Sequence, residues 1–285
     1  MNRVLVAGAT GYLGRHITSE LLKRPYPVLA LARNPQKLRL DNAEAAGVLQ
    51  AELTKPDSIA GCCEDIDVVI STVGITRQKD GLTYMDVDYQ ANLNLLREAQ
   101  KSGVKKFIYI SVLNGENLRD LKICEAKERF VDQLIRSGLD FCVVRPNGFF
   151  SDMTEFLAMA KKGRVYLFGN GEFKTNPIHG ADLAAACVDA IENPAKEIRI
   201  GGPETLTHNE IAAAAFESLG TTPKTTHIPD WVRIATLKTV RLLSGSKFYG
   251  PIEFFMTVMA MDMVAPEYGR HTLREYFNNF NDQDS

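Results

Sequence analysis

Gly8, Gly11 and Gly14 stand in the spacing G-x-x-G-x-x-G within "VLVAGATGYLGRHI", directly after an apolar run and at the start of a helical one. Chemistry at such a turn is anion binding. The N–H groups of a helix N-terminus receive phosphate charge, while glycine permits a tight turn, the close approach of a pyrophosphate and near packing of helix on strand. The whole turn, Gly8, Thr10, Gly11, Tyr12, Leu13 and Gly14, is therefore read as the phosphate cradle of a dinucleotide. Arg33 closes the next β-rich run, "LARNPQKL", with Lys37 a turn later and Arg15 just past the glycines. An acid at that strand end would hold the ribose 2′-OH of NAD. A guanidinium fork suits a 2′-phosphate instead, so the expected cofactor is NADP(H).

Such a turn works only if strands and helices present it, and the first half of the chain alternates the two. Strands are expected at 3–8, 27–33, 47–52, 67–72, 106–111 and 140–146, with helices at Tyr12–Lys23, Asp57–Cys62, Asp86–Gly103 and Lys122–Ser137. Alternation of this kind predicts a parallel sheet with crossover helices. The strands are too uniformly apolar for one wet face, so helices cover both sides. The fold class expected is α/β, a Rossmann-type doubly wound parallel sheet with a smaller C-terminal substrate lobe. Its boundaries are 1–147 for the dinucleotide-binding domain and 148–285 for the lobe, interleaved with the last Rossmann elements at about 177–202. In the lobe, "THNEIAAAAFESLG" carries a capping box, Thr207 with Glu210 three residues on.

With 285 residues, 45% hydrophobic and 24% charged, and a formal net charge of -2, the chain reads as globular and offers no basic surface for nucleic acid. Its five cysteines form no C-x-x-C pair and no Cys/His cluster of metal spacing, so they are expected as reduced thiols of a cytoplasmic protein, with no metal. The first residues enter a strand directly, unlike a signal peptide, and no apolar run reaches the length of a membrane span.

The pieces "GATGYLGRHI", "LARNPQKL", "DVVIST", "VDYQANLNLLREAQKSGVKKFIYIS", "RPNGFF" and "IGGPETLTHNEIA" together resemble the NmrA-like branch of atypical short-chain dehydrogenases/reductases. The resemblance spans most of residues 1–215. It implies the Rossmann fold and NADP binding, and it does not imply a substrate. In most short-chain reductases a Ser, a Tyr and a Lys four residues after the Tyr cooperate in proton transfer. Here Ser111 and Lys127 match two of the three places and Ile123 stands at the third.

Three roles for Lys127 follow. By resemblance to isoflavone-reductase-like members, the lysine itself is the acid or base, its pKa lowered by partial burial. Alternatively it holds the nicotinamide ribose in a sensor, regulator or assembly factor without turnover. Or it is a solvated residue of the run "KICEAKER". Tyr84, Tyr89 and Tyr166 are candidates for a displaced phenol. The same resemblance places Thr72, Val73 and Gly74 against the ribose and nicotinamide by their backbone, Pro146 and Asn147 at the mouth of the sheet, and Phe149 and Phe150 at the start of the lobe. His179 is expected as a helix-entry residue.

Near the C-terminus, Trp231, Ile234, Leu237, Val240 and Leu243 form an apolar stripe, and "IEFFMTVMAMDMV" concentrates four of the eight methionines. Both are expected in the lobe core, with an apolar pocket, partner groove or membrane surface as the sharper reading. The function expected is an NADPH-dependent oxidoreductase acting on a small apolar carbonyl, enone, quinone or aromatic compound. Its partners would be a small-molecule substrate or a regulatory partner protein.

Overall fold

In the computed structural model the chain forms two compact units, Met1–Arg145 with Leu183–Ile198, and Pro146–Asp182 with Arg199–Ser285. The structure describes residues 2–38, 46–75, 81–243 and 246–283; the side chains of 243–249 and 281–283, including Leu243 of the apolar stripe, lie outside the described part.

The main sheet takes β1 (Val4–Ala7), β2 (Val28–Ala32), β3 (Gly47–Gln50), β4 (Val68–Ser71), β5 (Lys106–Ile110), β6 (Asp140–Pro146) and β9 (Glu197–Ile200), in the order β3-β2-β1-β4-β5-β6-β9. The pairs run parallel, with Val6 opposite Ala30 on one side and Ile70 on the other. The chain therefore winds outward from β1 to β3 and then restarts at β4. At this reversal the ends of β1 and β4 diverge into loops, the position at which open parallel sheets bind ligands. Strands β1, β4 and β5 are buried along their whole length. Even Lys106 is sealed in β5, its ammonium donating to the carbonyls of Asn193 at 2.6 Å and Ile191 at 3.4 Å.

Helices α1 (Tyr12–Leu22), α2 (Asn92–Lys101) and α3 (Lys122–Ile135) accompany the sheet in the first unit. The ring of Phe130 on α3 packs 4.5 Å from that of Tyr109 and 5.8 Å from that of Phe107, both on β5. Burial of each such ring contributes on the order of 2–3 kcal/mol. The helix expected over Asp86–Gly103 differs at its start, because Met85–Ala91 forms a π-helical segment before α2 begins. Asn92 accounts for the change. Its buried amide donates to the carbonyls of Asp88 (2.9 Å), Val87 (3.3 Å) and Val73 (3.1 Å), so a side chain replaces part of the regular ladder. The segment expected as a helix over Asp57–Cys62 is a single 3₁₀ turn, Pro56–Ile59.

The second unit holds β7 (Val165–Phe168) parallel to β11 (Thr225–Ile228), and β8 (Lys174–Thr175) antiparallel to β10 (Leu206–Thr207). Helices α4 (Phe150–Lys161), α6 (His208–Ser218) and α9 (Leu273–Gln283) enclose a core that includes Phe156, Ile211, Phe216 and Phe277. The capping box forms as expected, Thr207 N–H donating to Glu210 Oε2 at 2.7 Å and Glu210 N–H to Thr207 Oγ1 at 3.1 Å. Asn176 is the polar centre of this unit. Its amide accepts from Asn147 and from Ala265 N–H, and donates to the carbonyls of Ala265 and Gly202. Helix α5 (Gly180–Asp189) follows His179, which stands at the helix entry as expected, its Nδ1 accepting from Ala181 N–H at 3.3 Å.

The apolar stripe does not form the core expected of it. On α7 (Asp230–Leu243), Trp231 is 69% exposed and Ile234 43%, while Leu237 and Val240 are half-buried. Helix α8 (Ser246–Val258) packs against α7, and only one face of a helix can be covered by a single neighbour. The methionine-rich run is likewise divided. Met263 is buried and Met259 packs on the core of the unit, but Phe254, Met256 and Met261 are half-buried and Phe255 is 42% exposed.

His208, buried at the first residue of α6, has its pKa lowered to about 4, because burial penalises the imidazolium more than Asp262 favours it. In the unfolded chain the ring protonates near pH 6.5 and in the folded protein near 4, so the unfolded state binds the extra proton between those values. Stability from this residue is expected to fall as pH falls from 6.5 to about 4, by up to about 3 kcal/mol. Urea unfolding followed across that window should show the slope in the unmodified protein and lose it in His208→Asn; an equal slope in both would sink the assignment.

Candidate functional site

The three glycines of the turn after β1 are glycines for three different reasons. Gly8 has φ +82°, and a Cβ there would stand 2.6 Å from Thr72 Oγ1. Gly14 lies so close to the turn that a Cβ would strike the Gly8 carbonyl. These two serve the tight turn and the packing of α1 on β1. Gly11 is exposed, and an added Cβ would meet only the Gly8 carbonyl, at 3.2 Å. Gly11 also caps α1 without a side-chain acceptor, and the first turn of α1 contains no acid. The amides of the first turn of α1, together with the positive end of the helix, suit a phosphate. The donor set and the space thus fit a dinucleotide pyrophosphate.

Arg33 follows the last residue of β2 and is exposed, and Gln50 donates to its backbone carbonyl at 3.4 Å. Asn34 caps the 3₁₀ turn Pro35–Lys37 by accepting from Gln36 N–H, which presents Lys37 to solvent near the same strand end. Thr72 and Val73 continue β4. Thr72 Oγ1 donates back to the Ala7 carbonyl at 3.1 Å, tying the end of β4 to the end of β1.

Lys127 is not a solvated residue. Its side chain is 13% exposed, and its Nζ stands 3.1 Å from Oδ1 of Asp88, a carboxylate with no exposure. The other Asp88 oxygen accepts from Ile75 N–H at 3.2 Å. Gly74 makes room for the pair, since a Cβ there would sit 2.5 Å from Asp88 Oδ1 and 3.0 Å from Lys127 Nζ. The ammonium also lies 5.5 Å from the centre of the fully buried Tyr109 ring. Burial opposes the charge on Lys127, but the oxygens of Tyr109 and Asp88 outweigh it and the pKa lies above the ordinary lysine value. Tyr109 is itself raised by burial and stays a neutral phenol; burial raises Asp88 as well, against the pull of the Lys127 ammonium that stands 3.1 Å from its carboxylate. The lowering expected from partial burial is thereby reversed, because a buried counter-ion stands beside the amine.

Ser111 is buried in a second cluster. Its hydroxyl donates to Glu128 Oε1 at 2.7 Å, and Arg145 grips both oxygens of Glu128 at 2.7 and 2.9 Å. Arg145 also reaches Glu197 at 2.7 Å and Glu116 at 3.3 Å. Neighbours on α3, Lys127 and Glu128 therefore serve separate polar clusters. Ile123 is buried. Among the phenols considered, Tyr84 is buried, Tyr89 packs on the core of the first unit and Tyr166 is exposed on β7. The phenol set beside Lys127 is Tyr109, which the sequence reading missed together with Asp88. Asp88 and Asn92, four apart, share a helix face, and an acid on a buried face was the available signal.

Pro146 ends β6, and Asn147 is buried within the second unit, its amide donating to Asn176 at 2.8 Å and to the Met263 carbonyl at 2.5 Å. Phe150 is part of that unit's core and Phe149 pairs with Ile178 in an isolated bridge. All five cysteines are buried free thiols. Among the described residues no group of three or more His, Cys, Asp or Glu could hold a metal ion, and no helix is long and apolar enough to cross a membrane.

Sheet order, glycine turn and the basic end of β2 define a Rossmann-type dinucleotide-binding fold. Residues 8–194 match the family described as NAD(P)H-binding. The chloroplastic divinyl chlorophyllide a 8-vinyl-reductase of Oryza sativa subsp. indica is 30% identical over 323 residues, covering 96% of this chain and 77% of that protein. Photosystem II assembly factor Ycf39 of Synechocystis sp. is 30% identical over 193 residues, covering 67% of this chain and 58% of that protein. The NADPH-dependent quinone oxidoreductase QOR2 of Escherichia coli, solved in complex with NADPH, shares the fold with a TM-score of 0.75 at 17% identity, covering 98% and 99% of the two chains. The chain belongs to the NAD(P)H-binding family, as an atypical short-chain dehydrogenase/reductase.

Gly74→Ala is expected to force Asp88 and Lys127 apart from the β4 loop, at a cost of about 1–3 kcal/mol. Urea unfolding measures it. An unchanged midpoint would mean that the pair retreats freely and that the glycine is not required.

Proposed function

We propose that the protein is an NADPH-dependent oxidoreductase of the NmrA-like branch, acting on a small apolar carbonyl, enone, quinone or aromatic compound. The observation that carries this reading is Arg33, exposed at the end of β2 where an acid would select NAD, in a chain matched over 96% of its length by a reductase. Gly8, Thr10, Gly11, Tyr12, Leu13 and Gly14 receive the pyrophosphate, Arg33 and Lys37 the 2′-phosphate, and the Thr72–Gly74 backbone the ribose side. The bound nicotinamide supplies a hydride. Lys127, kept as an ammonium by Asp88, stabilises negative charge that develops on a nearby substrate atom, and water delivers the proton. Ser111 donates its hydroxyl hydrogen bond to Glu128 and retains only acceptor capacity toward a ligand. The Asn147 amide is engaged within its own unit, by Asn176 and the Met263 carbonyl. The buried free thiols suit a reducing, cytoplasmic setting.

A second reading, nucleotide binding without turnover in a regulatory or assembly protein, draws on Ile123 at the phenol's place and on the engagement of Ser111 by Glu128. The two readings part on NADPH consumption. Absorbance at the nicotinamide band, with quinones, enones and aldehydes offered in turn, should show turnover that Lys127→Ala loses. Turnover that persists in Lys127→Ala would remove the lysine mechanism, and none with any acceptor would favour the second reading.

Cofactor choice is tested separately by calorimetry. NADPH should bind at least roughly tenfold tighter than NADH, since charge-assisted hydrogen bonds contribute about 1.5–3 kcal/mol. Arg33→Asp should erase or invert the preference. Equal affinities in the unmodified protein would defeat the Arg33 argument.

A further inference from the structure

Asp88 is enclosed completely, on the π-helical segment before α2, with Lys127 Nζ at 3.1 Å from one oxygen and Ile75 N–H at 3.2 Å from the other. Desolvating a carboxylate costs several kcal/mol unless its partners replace water. A π segment is uncommon and is often found at functional sites. Here it delivers an acid to a place where the β4 loop has no side chain, Gly74. Asn92, one position beyond the segment, secures the arrangement: it accepts from Ser71 at 2.6 Å and donates to the Val73 and Asp88 carbonyls. A single carboxylate therefore binds both the loop after β4 and the lysine of α3.

The other groups facing Lys127 leave Asp88 as its counter-charge. Tyr109, from β5, is a neutral phenol because burial raises its pKa. Cys124, on α3 itself, is pushed up to about 12 by burial and is a neutral thiol. Glu128 and Glu116 are paired with Arg145, and Asp86 accepts from the Thr83 hydroxyl at 2.6 Å. Tyr84 is buried in the turn before the π segment and Tyr89 packs on the core.

We propose that Asp88 is the positioning residue of the dinucleotide site: it sets the Lys127 side chain and the Val73–Ile75 backbone at one point and keeps the lysine a standing cation that grips the ribose hydroxyls of the bound nucleotide. The proposal rests on the NADPH reading of the site. The ammonium has three hydrogens, more than Asp88 alone engages, which leaves it donor capacity toward the ligand. Lys127 then binds and stabilises charge without titrating, a role that needs no tyrosine beside it at position 123.

The test separates a charge role from a structural one. Asp88→Asn keeps the shape and an oxygen for Ile75 N–H and removes only the charge. Burial of the ammonium is then unopposed, so NADPH affinity of the variant should fall roughly tenfold between about pH 7 and about pH 9.5. The unmodified protein should stay nearly level over that range. Asp88→Asn combined with Lys127→Arg, whose guanidinium does not titrate, should return to a level profile. Level binding in Asp88→Asn itself would overturn the proposal. No NADPH binding by the unmodified protein would instead remove the nucleotide reading on which it rests. Lysine-selective NMR of the unmodified protein gives an answer even if the variant does not fold: Lys127 should titrate above the ordinary 10.5, and titration at or below that value overturns the proposal.

Discussion

A carboxylate sealed from water must be met by a positive charge, and the site of this protein is organised around that demand at Asp88. Lys127 meets it from α3 and the Ile75 amide from the β4 loop, so three segments far apart in the chain converge on two oxygen atoms. Gly74 follows from the same constraint, because a side chain there would occupy the space of the ion pair. So does the π-helical start of the helix, which Asn92 supports by taking up carbonyls that the regular ladder leaves over.

The second buried charge cluster has a different character. Arg145, on β6, has Glu128, Glu116 and Glu197 around it, and Ser111 adds its hydroxyl to Glu128. Removing one partner from such a group strands a buried charge, which is costly, whereas the group as a whole need add little to stability. Its effect is geometric: Glu128 locks α3 to β5 and β6, and Lys127 is the next residue. Positioning of the lysine is thus set from two sides, by a salt bridge at its head and by a cluster at the root of its helix.

The second unit is held by polar and apolar means of its own. Asn176 joins four backbone and side-chain partners, and Asp182 accepts the amides of Arg270 and His271 while bonding the His271 ring at 2.8 Å. These fix the irregular segments that no sheet supports. The exposed apolar residues of α7 and the half-buried Met256 of α8 lie outside that framework, which is why their periodicity overstated their burial.

Periodicity and local stereochemistry made much of the fold legible. Uniformly apolar short runs predicted strands covered on both faces, and β1, β4 and β5 are buried throughout. The glycine spacing specified the turn because only glycine adopts φ +82° without strain and admits α1 so close to the Gly8 carbonyl. Arg33 was readable because a strand end is a position in the chain. Tertiary structure alone decided what surrounds Lys127. Residues 74, 88, 109 and 127 share no local pattern, and charge compensation acts through space between elements that the sheet order brings together. A helical period states which face of α3 is buried; whether the amine there loses its proton or keeps it depends on Asp88, whose place no spacing within α3 contains.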